Sequence, residues 1–382
     1  MQMLSTRTIT LEKLHRLALD NGIAFASYRI PNASEHITLL QWKQLPPQIT
    51  DLKLLKNQPG FVFAPFDFES GYPIRIIQPD LLIHGETFQE PVSRSQEEED
   101  VFTRRVFIPY YQRENTVIEK KDFTARVESV KKQIKKGEVQ KVVLSRVFRE
   151  RRDPSFESAA FFERLCNAYP DAFVFCVYIP DTGVWFGASP EPLLLVKEKT
   201  VTTVSLAGTR HNIPDNHFKP WGEKEKDEQN IVSEYIEDLL KKHNIRYFDR
   251  SGPKTFVAGM VEHLKTSFRF PQESLEGNLS EFADQLHPTP SVCGLPKDKA
   301  LAIIRQTEKH RREYYSGFLG PVNMNGQWDL YVNLRSMKAT PHHLEYFIGA
   351  GITAGSDAQL EWEETNSKMR TLKSIVESLK ES

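Results

Sequence analysis

Two pairs of glutamates in this chain have the spacing of a shared site: Glu225 and Glu228 in EKEKDEQ, and Glu361 and Glu364 in EWEETN. Residues three apart share a helix face. Two helices presenting such pairs to each other would enclose one hard divalent cation with oxygen ligands. Mg2+ suits that set, because it takes few protein ligands and keeps room for water and substrate. Acids near a helix start also complement the helix dipole, so spacing alone leaves both uses open. Lys368 follows Glu364 by one turn on the same face, either as an anion-binding group or as half of an ordinary i,i+4 pair.

Other groups could share the chemistry. Lys141 opens the run KVVL, which otherwise reads as a buried β-branched strand. A lysine aimed into a cavity must be paired or lose its proton. Glu191 ends WFGASPE, between two apolar strands. A carboxyl against apolar walls holds its proton more tightly and can serve as an acid, although the same residue also suits a plain turn. Arg335 lies inside YVNLRSM, among strand residues, and calls for a carboxylate from an internal acid or from a ligand. Gly349 and Gly351 in IGAGIT would let the backbone approach a ligand closely. No phosphate-binding GxxxxGKS or GxxxxGKT loop occurs.

The totals narrow the partners. Of 382 residues, 39% are hydrophobic and 26% charged, which is ordinary globular usage. The 50 basic and 51 acidic residues leave a net charge of -1. That gives no reason to expect nucleic acid or an anionic membrane surface. Cys166, Cys176 and Cys293 lack metal spacing and fit a reducing compartment better than a disulfide framework. The first residues read as an amphipathic helix through Leu11, Leu14 and Leu17, not as a signal peptide. No apolar run approaches the roughly 20 residues of a membrane span. The expectation is a cytoplasmic protein acting on a small charged molecule.

The elements that must position these residues can be read in order. KDFTARVESVKKQIKKG predicts a helix with Phe123, Val127, Val130 and Ile134 on one face, Asp122 or Thr124 as cap, and Gly137 closing it. The strand of Lys141 follows. FESAAFFERLCNAY predicts a helix and AFVFCVYI a buried strand. GVWFGAS, PLLLVKE and TVTTVSLAG predict three successive strands in an antiparallel meander. A helix from about residue 225 to 242 carries Ile231, Tyr235 and Leu239 on one face. WDLYVNLRSMKAT and HLEYFIGAGIT predict a hairpin across Pro341-His342-His343, and QLEWEETNSKMRTLKSIVESL a final helix. Runs of strands with helices between them predict an α+β fold with largely antiparallel sheets. The most polar stretch, Ser93–Arg105, predicts a solvated connection after an N-terminal part, residues 1–105.

KVVLSR, FGASPEPLL, SLAGTR, LHPTPSVCGLP, GFLGPV, LYVNLRSM, GAGITAGSD and EWEETNSKM occur in the order seen in the chorismate-utilising enzymes. From about Phe123 onward the chain resembles that family, which includes isochorismate synthase, salicylate synthase and the first components of anthranilate and aminodeoxychorismate synthases. The resemblance implies large, mostly antiparallel sheets packed as a sandwich with helices outside. It implies a chorismate-binding catalytic region over 106–382 and a variable N-terminal part integrated into the same fold. Lys141 is similar to the general-base lysine of isochorismate and salicylate synthases, where ammonia-using relatives usually carry glutamine. Ala207 stands where aminodeoxychorismate synthases usually place a lysine nucleophile. LHPTP with VCGLP looks like isochorismate synthase, the best match within the family. Two positions depart from the pattern. Gln229 stands where the family often has histidine. Ser291 stands where isochorismate synthases commonly have alanine and the pyruvate-eliminating relatives threonine.

The resemblance implies Mg2+-dependent isomerisation of chorismate to isochorismate, with water adding at C2 and the C4 hydroxyl leaving. Lys141 is then the base, which must lose its proton to act, and Glu191 the acid. Mg2+ is implied at Glu228 and Glu364, with Glu225 and Glu361 close or bound through water. Arg335, with Tyr315 and the backbone at Gly349, is implied to bind the enolpyruvyl carboxylate. Lys368 and the Gly208-Thr209 turn are implied to lie near the ring carboxylate, and Ser291 and His263 complete the candidate set. No obligate amidotransferase subunit is expected, and the assembly expected is a monomer or weak dimer. Salicylate synthase, which goes on to eliminate pyruvate, is the alternative. With no fused siderophore domain in the sequence, menaquinone biosynthesis is expected ahead of a siderophore pathway.

Overall fold

The computed structural model of the chain describes residues 4–42, 44–91, 115–212 and 219–380. The polar stretch Ser93–Arg105 lies outside the described residues. Among the described residues, seven α-helices accompany two sheets, of eleven and nine strands. Their strand pairings are antiparallel throughout. The centre of the larger sheet runs Ala24–Arg29, Phe173–Ile179, Gly183–Ser189, Ser336–Ala339, His343–Ile352 and Lys141–Arg151. The centre of the smaller sheet runs Val261–Pro271, Thr200–His211, Pro192–Lys197, Gln327–Val332, Phe318–Met324 and Gly60–Ala64. Residues 4–91 give five strands to the larger sheet and three to the smaller, so they are woven into both.

The two sheets meet through aromatic side chains. Phe173 of the larger sheet stacks on Tyr331 of the smaller with ring centres 4.2 Å apart, and Tyr28 faces Phe61 at 5.4 Å. Trp185 stacks on Phe347 beside them, at 5.1 Å. Alternation along each strand sends these rings inward to one buried cluster. The helices Leu11–Asp20, Ser158–Ala168 and Ala358–Lys380 pack their apolar residues into a second cluster, on the larger sheet. The helices Glu223–Lys242 and Leu279–Leu286 contribute to a third, against the smaller sheet.

Two expectations about strands are corrected. The predicted meander is two hairpins in different sheets. Phe173–Ile179 pairs with Gly183–Ser189 in the larger, and Pro192–Lys197 with Thr200–His211 in the smaller. The predicted continuous strand through Arg335 is likewise broken. Gln327–Val332 lies in the smaller sheet and Ser336–Ala339 in the larger, and only the latter pairs with His343–Ile352. Arg335 sits in the crossing with φ +48°, in the left-handed region. Both halves of each segment are buried, so the apolar pattern reads alike whether the chain runs straight or changes sheets.

The two crossings run side by side. The Val332 N–H donates to the Glu191 carbonyl at 2.9 Å, and the Ala188 N–H to the Arg335 carbonyl at 3.1 Å. The Ser189 hydroxyl donates to the Val332 carbonyl at 2.6 Å. A smaller correction concerns the helix Lys120–Lys135. Its cap position is Glu119, Asp122 falls inside its first turn, and Thr124 lies just beyond that turn. No described helix is long and apolar enough to cross a membrane.

The aromatic cluster is the joint between the sheets. Phe173→Ala should therefore lower the unfolding free energy by about 3–5 kcal/mol in a denaturant titration. A loss below about 1 kcal/mol would mean that the sheets do not depend on this ring.

Candidate active site

Residues at the two crossings line a partly open cleft, together with Thr209, Glu228, His263, Ser291, Tyr315, Gly349 and Lys368. Glu191 and Arg335 enter it from the crossings themselves. Val143, Val292, Leu334, Phe347 and Ile348 supply apolar wall.

Lys141 is fully buried, and its Nζ lies 2.9 Å from Glu228 Oε1. Strand Lys141–Arg151 presents it, and helix Glu223–Lys242 presents Glu228. The glycine at 351 makes room for the pair. A Cβ there would collide with Glu228 Oε1 and stand 3.1 Å from Lys141 Cε. Burial pushes the Glu228 carboxyl up, but Lys141, with Lys224 and Lys368 behind it, holds it below the usual range.

Glu191 is in the opposite condition. Burial raises its carboxyl to about 8, against a smaller downward pull from Ser291, Lys141, Lys368 and Thr289. It therefore carries its proton at neutral pH. Arg335 Nη2 donates to His263 Nε2 at 3.0 Å. The other ring nitrogen of His263 faces the Gly208 carbonyl at 3.0 Å and the Thr209 hydroxyl at 3.2 Å. The carbonyl can only accept, so Nδ1 holds the proton and Nε2 is free to accept from Arg335. Burial first, then the charges of Arg335 and Lys368, keep His263 neutral. The arginine is thus held by an uncharged partner.

Five buried polar atoms around this cleft close no hydrogen bond of normal geometry: Lys141 Nζ, Glu191 Oε1, Thr289 Oγ1, Ser291 Oγ and Arg335 Nη1. Unsatisfied buried polar groups are costly and ask for an explanation. Gathered around one cleft, they leave polar groups free to bond a ligand there.

The acids follow the helices. Glu361 and Glu364 project from Ala358–Lys380. Lys368 Nζ donates to Glu364 Oε1 at 2.6 Å and to the Gly349 carbonyl at 3.1 Å. Lys224 Nζ donates to Glu361 Oε1 at 2.6 Å. Burial, then the charge of Glu364, raises the Glu361 carboxyl to about 7. Among the described residues no three ligating side chains converge as they stand. Each of the three acids is turned to its own lysine. Crowded, buried carboxylates of this kind are a hard-oxygen donor set, and Mg2+ needs only one or two of them beside water and substrate. The residues fit that ion. Glu225 is placed differently: its carboxylate turns back to Gly222 at the start of its own helix. Its backbone presses on Gly208, where a Cβ would lie 2.8 Å from the Glu225 carbonyl.

The family described as chorismate binding enzyme matches residues 83–377. The chain belongs to that family. Isochorismate synthase EntC of Escherichia coli is 31% identical over 245 residues, 62% of this chain and 62% of its own length. Isochorismate synthase MenF of Escherichia coli is 29% identical over 266 residues, 68% of this chain and 61% of its own length. The matched region therefore spans under two thirds of the length of these curated relatives. Among solved structures, the putative 2,3-dihydroxybenzoate-specific isochorismate synthase DhbC of Bacillus anthracis superposes with a TM-score of 0.76. It is 21% identical, over 95% of this chain and 99% of that one. Anthranilate synthase component I of Streptococcus pneumoniae reaches 0.64 at 19% identity, over 97% and 92%. The α+β sandwich is thus the fold of this family.

As a chorismate binding enzyme, the chain gathers most of the residues expected from its sequence. Glu191, Thr209, Glu228, His263, Ser291, Tyr315, Arg335, Gly349 and Lys368 all line the cleft. Lys141 lies directly behind Gly351. Gly349 leaves space for Tyr315, whose hydroxyl would be 3.0 Å from a Cβ there. Gly208, Glu361 and Glu364 stand just outside the lining, and Glu225 faces its own helix end.

Three supporting residues were not legible as such. Lys224 left no local signal, because its partner Glu361 is 137 residues away in sequence. Gln229 accepts from the Ala207 N–H at 2.9 Å and donates to Ser205 and Thr266, which seats the Glu228 helix on the sheet. Arg312 ties the Val143 and Val292 carbonyls at 2.7 and 2.9 Å, joining the Lys141 strand to the Ser291 loop.

The condition of Glu191 is measurable. Infrared difference spectra should show a protonated-carboxyl band at neutral pH that is lost as pH rises through about 8. Glu191→Gln should remove it. A band lost near the ordinary glutamate value of ~4.3 would contradict burial as its cause.

Proposed function

We propose that the chain is an isochorismate synthase, converting chorismate to isochorismate. One observation carries the reading: a buried lysine and a protonated carboxyl share a cleft in which Arg335 lacks an anionic partner. Addition of water at one ring carbon with loss of hydroxide at another needs a base and an acid in place together. Lys141, after passing its own proton by way of Glu228 to solvent, takes the proton of the attacking water at Nζ. Glu191 gives its proton to the departing C4 hydroxyl and is recharged from solvent.

Arg335 Nη1 binds the enolpyruvyl carboxylate, held in orientation by His263. Tyr315 and the Gly349 backbone bound that end of the cleft. Lys368 and the Gly208-Thr209 turn lie toward the ring carboxylate. Glu228 and Glu364, with Glu361 beside them, would hold Mg2+, which supplies positive charge to the ring carboxylate. Apolar walls from Phe347, Ile348 and Val143 exclude bulk water from the ring.

Lys141 supports water, not ammonia, as nucleophile, so the protein acts without an amidotransferase partner in the cytoplasm. Ser291 is the residue on which the alternative rests. Its hydroxyl lies beside Glu191, where a larger hydroxylated residue is usual in pyruvate-eliminating relatives.

Incubation with chorismate and Mg2+ tests the reading by product chromatography. Isochorismate supports it. Salicylate with pyruvate would replace it by the salicylate synthase reading, and an amino-substituted ring formed only with ammonium would overturn it. Lys141→Ala should lower kcat at least about 100-fold while chorismate still binds by calorimetry. Unchanged turnover would remove Lys141 as the base.

A further inference from the structure

Three lysines neutralise three acids on the wall of the cleft, but they are not equivalent. The Lys141 side chain has no exposed surface and starts a central strand. Lys368 has a second acceptor, the Gly349 carbonyl at 3.1 Å. Lys224 has neither anchor. Its side chain is 27% exposed, and Glu361 is its one hydrogen-bond acceptor among the described residues. It stands one turn before Glu228 on its helix, and its bond to Glu361 joins that helix to Ala358–Lys380. Burial pulls its charged form down, yet the fields of Glu361, Glu364 and Glu228 together more than offset this. One ammonium thus feels the same three carboxylates that would serve a divalent cation.

We propose that Lys224 is a resident counter-cation that competes with the divalent metal for this acidic wall, and so sets metal affinity before substrate arrives. The inference rests on the reading of Glu228, Glu361 and Glu364 as the metal-binding wall. An ammonium and a divalent ion a few ångströms apart in a half-buried site repel each other strongly. The Lys224 ammonium and a divalent ion therefore compete for Glu361. The metal enters as the Lys224 side chain swings to solvent, a route its exposure leaves open. Lys141 and Lys368 feel the same repulsion, but burial holds the first and the Gly349 carbonyl the second, so Lys224 is the one with a path to solvent.

The test is metal binding to the full chain without substrate, by titration calorimetry with Mg2+ alone. Lys224→Met keeps the side-chain length and removes the charge. It should bind Mg2+ about tenfold more tightly than the parent protein. Lys226→Met is the control: it removes the same charge from an exposed pair with Glu223 on the same helix. It should leave affinity within about twofold, because solvent and salt screen it. Lys224→Arg keeps the charge and should bind no more tightly than the parent. Should Lys224→Met melt at a lower temperature, Lys224→Gln gives the same comparison in a shorter side chain. Unchanged or weaker binding in the uncharged variants overturns the proposal, as does an equal gain in Lys226→Met. Absence of Mg2+ binding in every protein overturns it together with the acids as ligands. The isochorismate reading stands or falls separately, on product analysis.

Discussion

The whole site depends on a doubled crossing of the chain between two sheets. At Pro190-Glu191 and again at Asn333–Arg335 the backbone leaves one sheet for the other. The crossings are bonded to each other through Val332, Ser189 and Ala188. A strand that stays in its sheet alternates its side chains between two packed faces. A crossing escapes that rule and can aim a polar side chain between the layers. Glu191 and Arg335 are those side chains. Their backbone is fixed by sheet hydrogen bonds on both sides, so the site is held by rigid elements and not by a free loop.

The second constraint is charge. Buried ions must be paired, and removing one partner leaves the other uncompensated. The cleft meets this by matching Lys141 with Glu228, Lys368 with Glu364 and Lys224 with Glu361. Glu191 meets it by keeping its proton, and His263 by staying neutral. What remains is the Arg335 cation, whose Nη1 is unsatisfied. A dianionic ring brought in with a divalent cation adds no net charge to such a cleft. On the proposed reading, that balance makes an acidic wall and an anionic substrate compatible in one place.

Much of this was legible in the sequence, for physical reasons. Helical spacing by itself put Glu361, Glu364 and Lys368 on one face, and the structure keeps them there. A lysine beginning a β-branched run signalled burial, and Lys141 is fully buried. The crossings were not legible. WFGASPEPLLL and YVNLRSM are apolar on both sides of the break, and burial in either sheet produces the same pattern. Lys224 was hidden for a different reason. Lys226 and Lys241 pair on the surface with acids three residues before them, whereas the partner of Lys224, Glu361, is 137 residues away and only the tertiary fold brings it near. Gln229 read as a departure from the family pattern. In the structure its side-chain amide is fully engaged, by one backbone N–H and by the oxygens of Ser205 and Thr266.

The most direct measurement is a crystal structure of the protein with Mg2+ and an unreactive cyclic dicarboxylate shaped like chorismate. One ligand carboxylate should lie within hydrogen-bond distance of Arg335 Nη1, and the other against the ion beside Glu228 and Glu364. Lys141 and Glu191 should then face opposite sides of the ring. A ligand seated in another cavity, or a ring with both residues on the same side, would contradict the account.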